Sequence, residues 1–172
     1  METTVRKGWR RPPSGWVSVC TDAGILGEEG AGLGAVIRDS NGRFCLAATK
    51  RVPGSWKVEE AEALAAEFGA QMAVHGHFQK VVLESDCQVV IHKLQAAHEM
   101  QDEIGVICRN VKRLLQETGE CRWHHICREA NEAAHVMAHA MSNWNETVIW
   151  FDSPPGFLFN QLQLDDVTAL TD

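Results

Sequence analysis

A chain of 172 residues with 45% hydrophobic content can bury one substantial core, and it reads as a single domain with modest tails. Its formal net charge of −7 excludes broad electrostatic capture of a phosphate backbone, so any nucleic-acid contact must be local. No run approaches the roughly 18 apolar residues of a membrane span, the N-terminus lacks a secretory apolar core, and the six cysteines form no C-x-x-C pair; together these predict a soluble intracellular protein without a membrane partner.

Residues 1–14 read as a basic tail and linker, in which Arg6, Lys7, Arg10 and Arg11 precede the helix-averse Pro12-Pro13-Ser14-Gly15. Trp16–Cys20 alternates as a strand and runs into Thr21-Asp22-Ala23-Gly24, which places Asp22 at a strand exit. Residues 32–38 and 43–49 are two further strands joined by the hairpin signal Asn41-Gly42, so the first three strands are expected to be antiparallel. The glycines at 24, 27, 30, 32 and 34 precede a strand instead of opening a helix, which favours turns over a phosphate loop. A second basic group, Lys50, Arg51 and Lys57, leads into a helical period over 58–74, closed by Gly76. Either basic group reads as a solvated surface or as a nucleic-acid contact.

A short buried strand at 80–84 precedes Ser85-Asp86 and a helical run to Leu94; another helix covers 103–116 and stops at Thr118-Gly119. A fifth strand follows at 122–127, then a helix at 131–141. The order β-β-β-α-β-α-α-β-α predicts an α/β domain over 15–143, with a five-stranded mixed sheet and helices on both faces. Residues 144–172 read as a loosely attached tail with one apolar patch, Phe157-Leu158-Phe159, and the acidic Asp165-Asp166.

Three carboxylates can converge in such a fold. Asp22 and Asp86 leave the same end of the sheet if the first and fourth strands are neighbours, and Glu62 lies at the edge of its helix's apolar stripe, from which it can reach over the sheet. Converging acids without a basic partner need cations, and an all-oxygen set suits Mg²⁺ or Mn²⁺. Two ions about 4 Å apart would clamp a phosphodiester for in-line attack. Taken singly, Asp22 reads equally as a turn residue, Asp86 as a helix N-cap, and Glu62 as one of four acids, with Glu59, Glu60 and Glu67, on a solvated face.

Four blocks change that balance. Thr21-Asp22-Ala23-Gly24, Glu60-Ala61-Glu62-Ala63-Leu64-Ala65, Glu84-Ser85-Asp86-Cys87-Gln88 and Arg128-Glu129-Ala130-Asn131-Glu132-Ala133-Ala134-His135 resemble, in order and spacing, the signature blocks of type 1 ribonucleases H. With Pro12–Trp16 and Gly34-Ala35-Val36-Ile37-Arg38-Asp39, the chain is most similar to the ribonuclease H domains attached to plant non-LTR retroelement reverse transcriptases, over about residues 12 to 143.

The resemblance implies a ribonuclease H-like fold and hydrolysis of the RNA strand of RNA/DNA hybrids, by a monomer fused to or descended from a reverse transcriptase. It implies that Asp22, Glu62 and Asp86 bind two Mg²⁺ or Mn²⁺ ions, and that Gln88, Asn131, Gly24 and Ser85 contact substrate, the amides through 2′-hydroxyls. Asn131 also sits where an N-cap would. The fourth family position, normally aspartate, is His135 as catalytic and metal residue, and imidazole is an acceptable ligand for Mn²⁺ but a poorer one for Mg²⁺. The basic protrusion has no counterpart in the short acidic stretch from Leu94 to Glu103, and the loop bearing a proton-shuttling histidine is absent. His124 and His125 lie nearby on alternating faces; His75, His77, His92, His98 and His139 read as helix-surface residues. Among the tryptophans only Trp56, beside Lys57, reads as a substrate contact. The alternative function is a nucleic-acid-binding module whose turnover is impaired by His135.

Overall fold

The structure, a computed structural model, describes residues 8–98 and 101–171; Arg6, Lys7 and part of the Leu94–Glu103 stretch lie outside the described residues. Among the described residues six strands and five α-helices follow one another as β1 (Val17–Ile25), β2 (Gly30–Arg38), β3 (Phe44–Pro53), α1 (Val58–His75), β4 (Lys80–Ser85), α2 (Gln88–Gln95), α3 (Glu103–Thr118), β5 (Glu120–His125), α4 (Glu132–Ala138), β6 (Thr147–Phe151) and α5 (Gly156–Thr171). The sheet order is β5-β4-β1-β2-β3-β6, with β5, β4 and β1 parallel and the other neighbours antiparallel.

The period-two pattern explains the layering. Leu33, Ala35 and Ile37 of β2 point into a core shared with α1, α2 and α3, whereas Val36 points the other way against Ala133 and Met137 of α4 and Leu158 of α5. Helices therefore cover both faces, and β2 is buried along its whole length. The β2–β3 hairpin closes at Gly42, whose φ of 78° suits glycine, while Asp39 Oδ1 accepts the Asn41 and Arg43 N–H groups at 2.9 Å.

Four expectations need correction. The sheet has six strands, because Thr147–Phe151 pairs with Lys50–Leu46 of β3. The stretch after residue 144 is consequently no loose tail: its β6 extends the sheet, and α5 docks through the fully buried Leu158 and the nearly buried Asp165. Finally, Gly24 and Gly30 are strand residues where turns were expected, while Gly32 and Gly34 lie in the expected strand. A Cβ at Gly32 would lie 2.0 Å from Ala138 O, and one at Gly34 would lie 2.3 Å from Ala138 N, so hydrogen side chains let α4 rest directly on β2. At the other end of the chain, Trp9 is 1% exposed beneath the sheet, which ties down residues expected to be linker.

Candidate metal centre

The metal-ligand candidates gather where β1 changes partner. Its parallel pairing with β4 ends at Cys20 and Glu84, while its antiparallel pairing with β2 continues to Ile25. Asp22 therefore lies inside a strand, opposite Gly34, and not at a strand exit; what exits beside it is β4, whose following turn carries Asp86. Such a divergence of strands is where open α/β sheets accept ligands.

The helix α1 supplies the third acid. Alanines at 61, 63, 65 and 66 bring it close to the sheet, and its four acids have separate fates. Glu60 Oε1 accepts the Lys57 N–H at 3.4 Å at the helix start, and Glu67 Oε2 accepts from Asn110 Nδ2 at 2.8 Å on α3. Glu59 is exposed, whereas Glu62 is 6% exposed and turns toward β1, where Oε1 accepts the Ala23 N–H at 3.4 Å. The solvated-face reading thus fails for Glu62. The N-cap reading fails for Asp86, because Cys87 occupies that position and the buried Ser85 Oγ accepts the Cys87 N–H at 3.1 Å.

Ligand oxygens of Asp22, Glu62 and Asp86 lie within 4.8 Å of one another. Burial pushes the Glu62 carboxyl up to about 9, with the charges of Asp22 and Asp86 adding to the effect. Asp22 is raised by burial and by Asp86, against hydrogen bonds with Glu62 and His135. No lysine or arginine contributes to either shift. Glu62 Oε2 is buried with no hydrogen-bond partner. Three crowded carboxylates and an orphaned oxygen are a donor set that fits a hard divalent cation, which supplies the missing positive charge.

The other implied site residues divide. His135 stands at the site, yet its Nδ1 meets Asp22 Oδ2 at 3.1 Å, and it is outside the set of three ligating groups. Gln88 is exposed at the first position of α2, beside Asp86. Asn131 is the N-cap of α4 by position only; its Nδ2 donates to Thr21 O at 2.9 Å, securing β1 next to Asp22 from a 1% exposed side chain. Ser85 is wholly buried, and Gly24 is covered by the His139 ring, which a Cβ would meet at 2.8 Å. The structure therefore offers Gln88, not Asn131, Ser85 or Gly24, to an approaching ligand.

Two residues were underread. His139 is no isolated surface residue: its ring centroid is 4.2 Å from that of His135, and its Nδ1 meets His135 O at 2.9 Å. The i, i+4 spacing on one helix was the available signal. His125 Nε2 meets Asp86 O at 3.2 Å, which holds the turn bearing that ligand. Trp56, by contrast, directs its indole N–H to Pro53 O at 3.1 Å, within its own loop.

Comparison with known proteins agrees with this geometry. A family model described as reverse transcriptase-like matches residues 21–141. A curated Arabidopsis thaliana protein named as a ribonuclease H protein is 28% identical over 159 residues, covering 92% of this chain but only 26% of its own length. The chain thus spans about a quarter of that relative. Among solved structures, ribonuclease H1 of the archaeon Halobacterium salinarum superposes with a TM-score of 0.65 at 22% identity, over 72% of this chain and 94% of that one. LC11 ribonuclease H1 in complex with an RNA/DNA hybrid gives 0.61 at 20% identity, over 70% and 92%. At these identities the superpositions establish the fold. Among the described residues no helix is long and apolar enough to cross a membrane. The chain belongs to the reverse transcriptase-like family, and its fold is that of the ribonucleases H1.

Proposed function

We propose that this chain is a metal-dependent endonuclease that hydrolyses the RNA strand of RNA/DNA hybrids. The observation that carries the reading is the Asp22, Glu62 and Asp86 cluster with its partnerless Glu62 Oε2, set at the strand divergence of a ribonuclease H fold. These three side chains would hold Mg²⁺ or Mn²⁺, in two sites by the family resemblance. The bound cations would lower the pKa of an attacking water and neutralise charge on the leaving oxygen. His135 orients Asp22 through its 3.1 Å contact, and its ring, 49% exposed at the side chain, borders the space a phosphate would enter. The exposed Gln88 beside Asp86 would donate to a 2′-hydroxyl, the group that separates RNA from DNA. The hybrid bound in the LC11 structure supports the substrate class, and the family description supports descent from or fusion to a reverse transcriptase.

The replacement of the fourth acid by His135 favours one rival, a hybrid-binding module with impaired turnover. The deciding test is cleavage of a labelled hybrid, with duplex RNA and duplex DNA as controls, in Mg²⁺ and in Mn²⁺, by the unaltered chain and by Asp22→Asn. Hybrid-specific cutting that this substitution abolishes supports the enzyme. Hybrid binding without cutting in either metal supports the module.

A further inference from the structure

The basic group Lys50, Arg51 and Lys57 does not form one patch. Leu33 and Lys50 are paired across β2 and β3, and Leu33 faces the α1 core, so Arg51 points to the opposite face, the side of α4. There it meets the loop that follows α4. Trp144 bridges to Arg51, the Asn145 N–H donates to Arg51 O at 2.7 Å, and the guanidinium carbon lies 5.9 Å from the Trp144 ring centroid. Gly30 makes this possible, since a Cβ there would stand 2.5 Å from a Trp144 ring carbon.

What distinguishes this arginine is its poverty of partners. Its Nη2 donates at 3.3 Å to Met141 Sδ, a weak acceptor, and its Nε is buried with no partner; the nearby Ser142 Oγ is likewise buried and unpartnered. Arg51 has no carboxylate in ion-pair range among the described residues, whereas Arg38 has one at 2.7 Å. A planar guanidinium with unsatisfied donors is suited to a phosphate, and the adjoining Trp144 is 42% exposed, an aromatic surface of the kind on which a base or sugar stacks.

The position is also right. Arg51 is two strands from Asp22 and two residues nearer the open end of the sheet, a backbone separation of about 12 Å from strand spacings of about 4.8 Å and rises of about 3.3 Å. At roughly 3.4 Å of advance per nucleotide, that is a few nucleotides from the metal centre. His139 and Met141 occupy the ground between. Trp144 lies beyond residue 141, where the family match ends.

We infer that Arg51 and Trp144 form an accessory contact for the nucleic-acid strand leaving the metal centre, Arg51 holding a backbone phosphate and Trp144 stacking on the adjacent nucleoside. The inference rests on the proposed function for its substrate. It is tested on the full chain carrying Asp22→Asn, with hybrid affinity measured by fluorescence anisotropy across a salt series, alongside kcat and KM in the cutting-competent chain. Arg51→Gln is expected to weaken affinity roughly 5- to 20-fold and to reduce the salt slope by about one, with kcat within about twofold. Trp144→Leu is expected to weaken affinity about tenfold at unchanged salt slope. Unchanged affinity and slope in a normally folded Arg51→Gln protein overturn the inference. Trimming the hybrid on the Arg51 side of the cut serves where a variant melts: the unaltered protein is expected to bind the trimmed hybrid about tenfold more weakly, and equal affinities overturn the contact. Failure of the unaltered chain to cut any hybrid would sink the hydrolase reading alone, since an Arg51-dependent salt slope would still stand.

Discussion

Two acidic clusters lie along β1, and their charge is balanced in opposite ways. Beneath the middle of β1, Arg38 donates to Asp165 at 2.7 Å and to Cys20 Sγ at 3.6 Å, and it stacks on Trp9 at 3.7 Å. Ser18 Oγ donates to Glu84 Oε1 and itself accepts from Trp9 Nε1 at 3.2 Å. Burial raises the Glu84 carboxyl, and Ser18 and Arg38 counter it. Farther along β1, Asp22, Glu62 and Asp86 have no arginine partner among the described residues. Where the acids hold elements together, the chain supplies the cation; at the cluster proposed to take a metal, it leaves the charge unbalanced.

The strongest way to break this comparison is Asp22→Asn, which is expected to lower initial rates of hybrid cleavage by roughly 10³-fold while the melting temperature is preserved. Comparable rates would remove Asp22 from the chemistry. Next in size, Arg38→Ala is expected to cost about 3–5 kcal/mol in urea unfolding, because it strands Asp165 uncompensated at 4% exposure. In metal-free protein Glu62→Gln should show the reverse sign, neutral or stabilising at neutral pH. A loss similar to that of Arg38→Ala would mean that Glu62 has a structural partner after all.

The pH dependence sharpens the same contrast. The folded carboxyl of Glu62 binds its proton more tightly than the unfolded one, so unfolding releases a proton between about 4.5 and about 9. Metal-free stability is therefore fully retained below the lower value and declines as pH rises toward the upper, by roughly 2 kcal/mol or more. Denaturation curves across that window should flatten in Glu62→Gln. The smallest effect concerns His135→Asp, expected to raise the rate in Mg²⁺ relative to Mn²⁺ by about tenfold. An unchanged metal ratio would confine His135 to orienting Asp22.

The convergence of the three acids was legible because each sits in a local pattern: Asp22 in a β-rich run, Glu62 at the edge of an apolar stripe, Asp86 after a short buried strand. Partners distant in sequence were opaque. Asp165 read as part of an acidic tail, since only Arg38, on β2, explains its burial. Thr147-Val148-Ile149-Trp150-Phe151 had strand-favouring composition, but five residues outside any block gave no reason to extend the sheet. Phe157-Leu158-Phe159 looked like one apolar patch, whereas Leu158 is wholly buried and its neighbours are half exposed. Gly32 and Gly34 were legible as strand residues, but their need to be glycine was not, because what fixes them is the backbone of α4, about a hundred residues later in the chain.

The Arg38 cluster has a consequence for the chain's place within larger polypeptides. Trp9 and Asp165 meet on one guanidinium, and Arg11 reaches Asp166 at 3.1 Å, so the polypeptide comes in and goes out side by side, away from the three acids. Neighbouring ends let a unit be spliced into another protein as a closed loop of chain. Joined on either side to further sequence, this domain would keep the edge that bears the three acids clear of the seam.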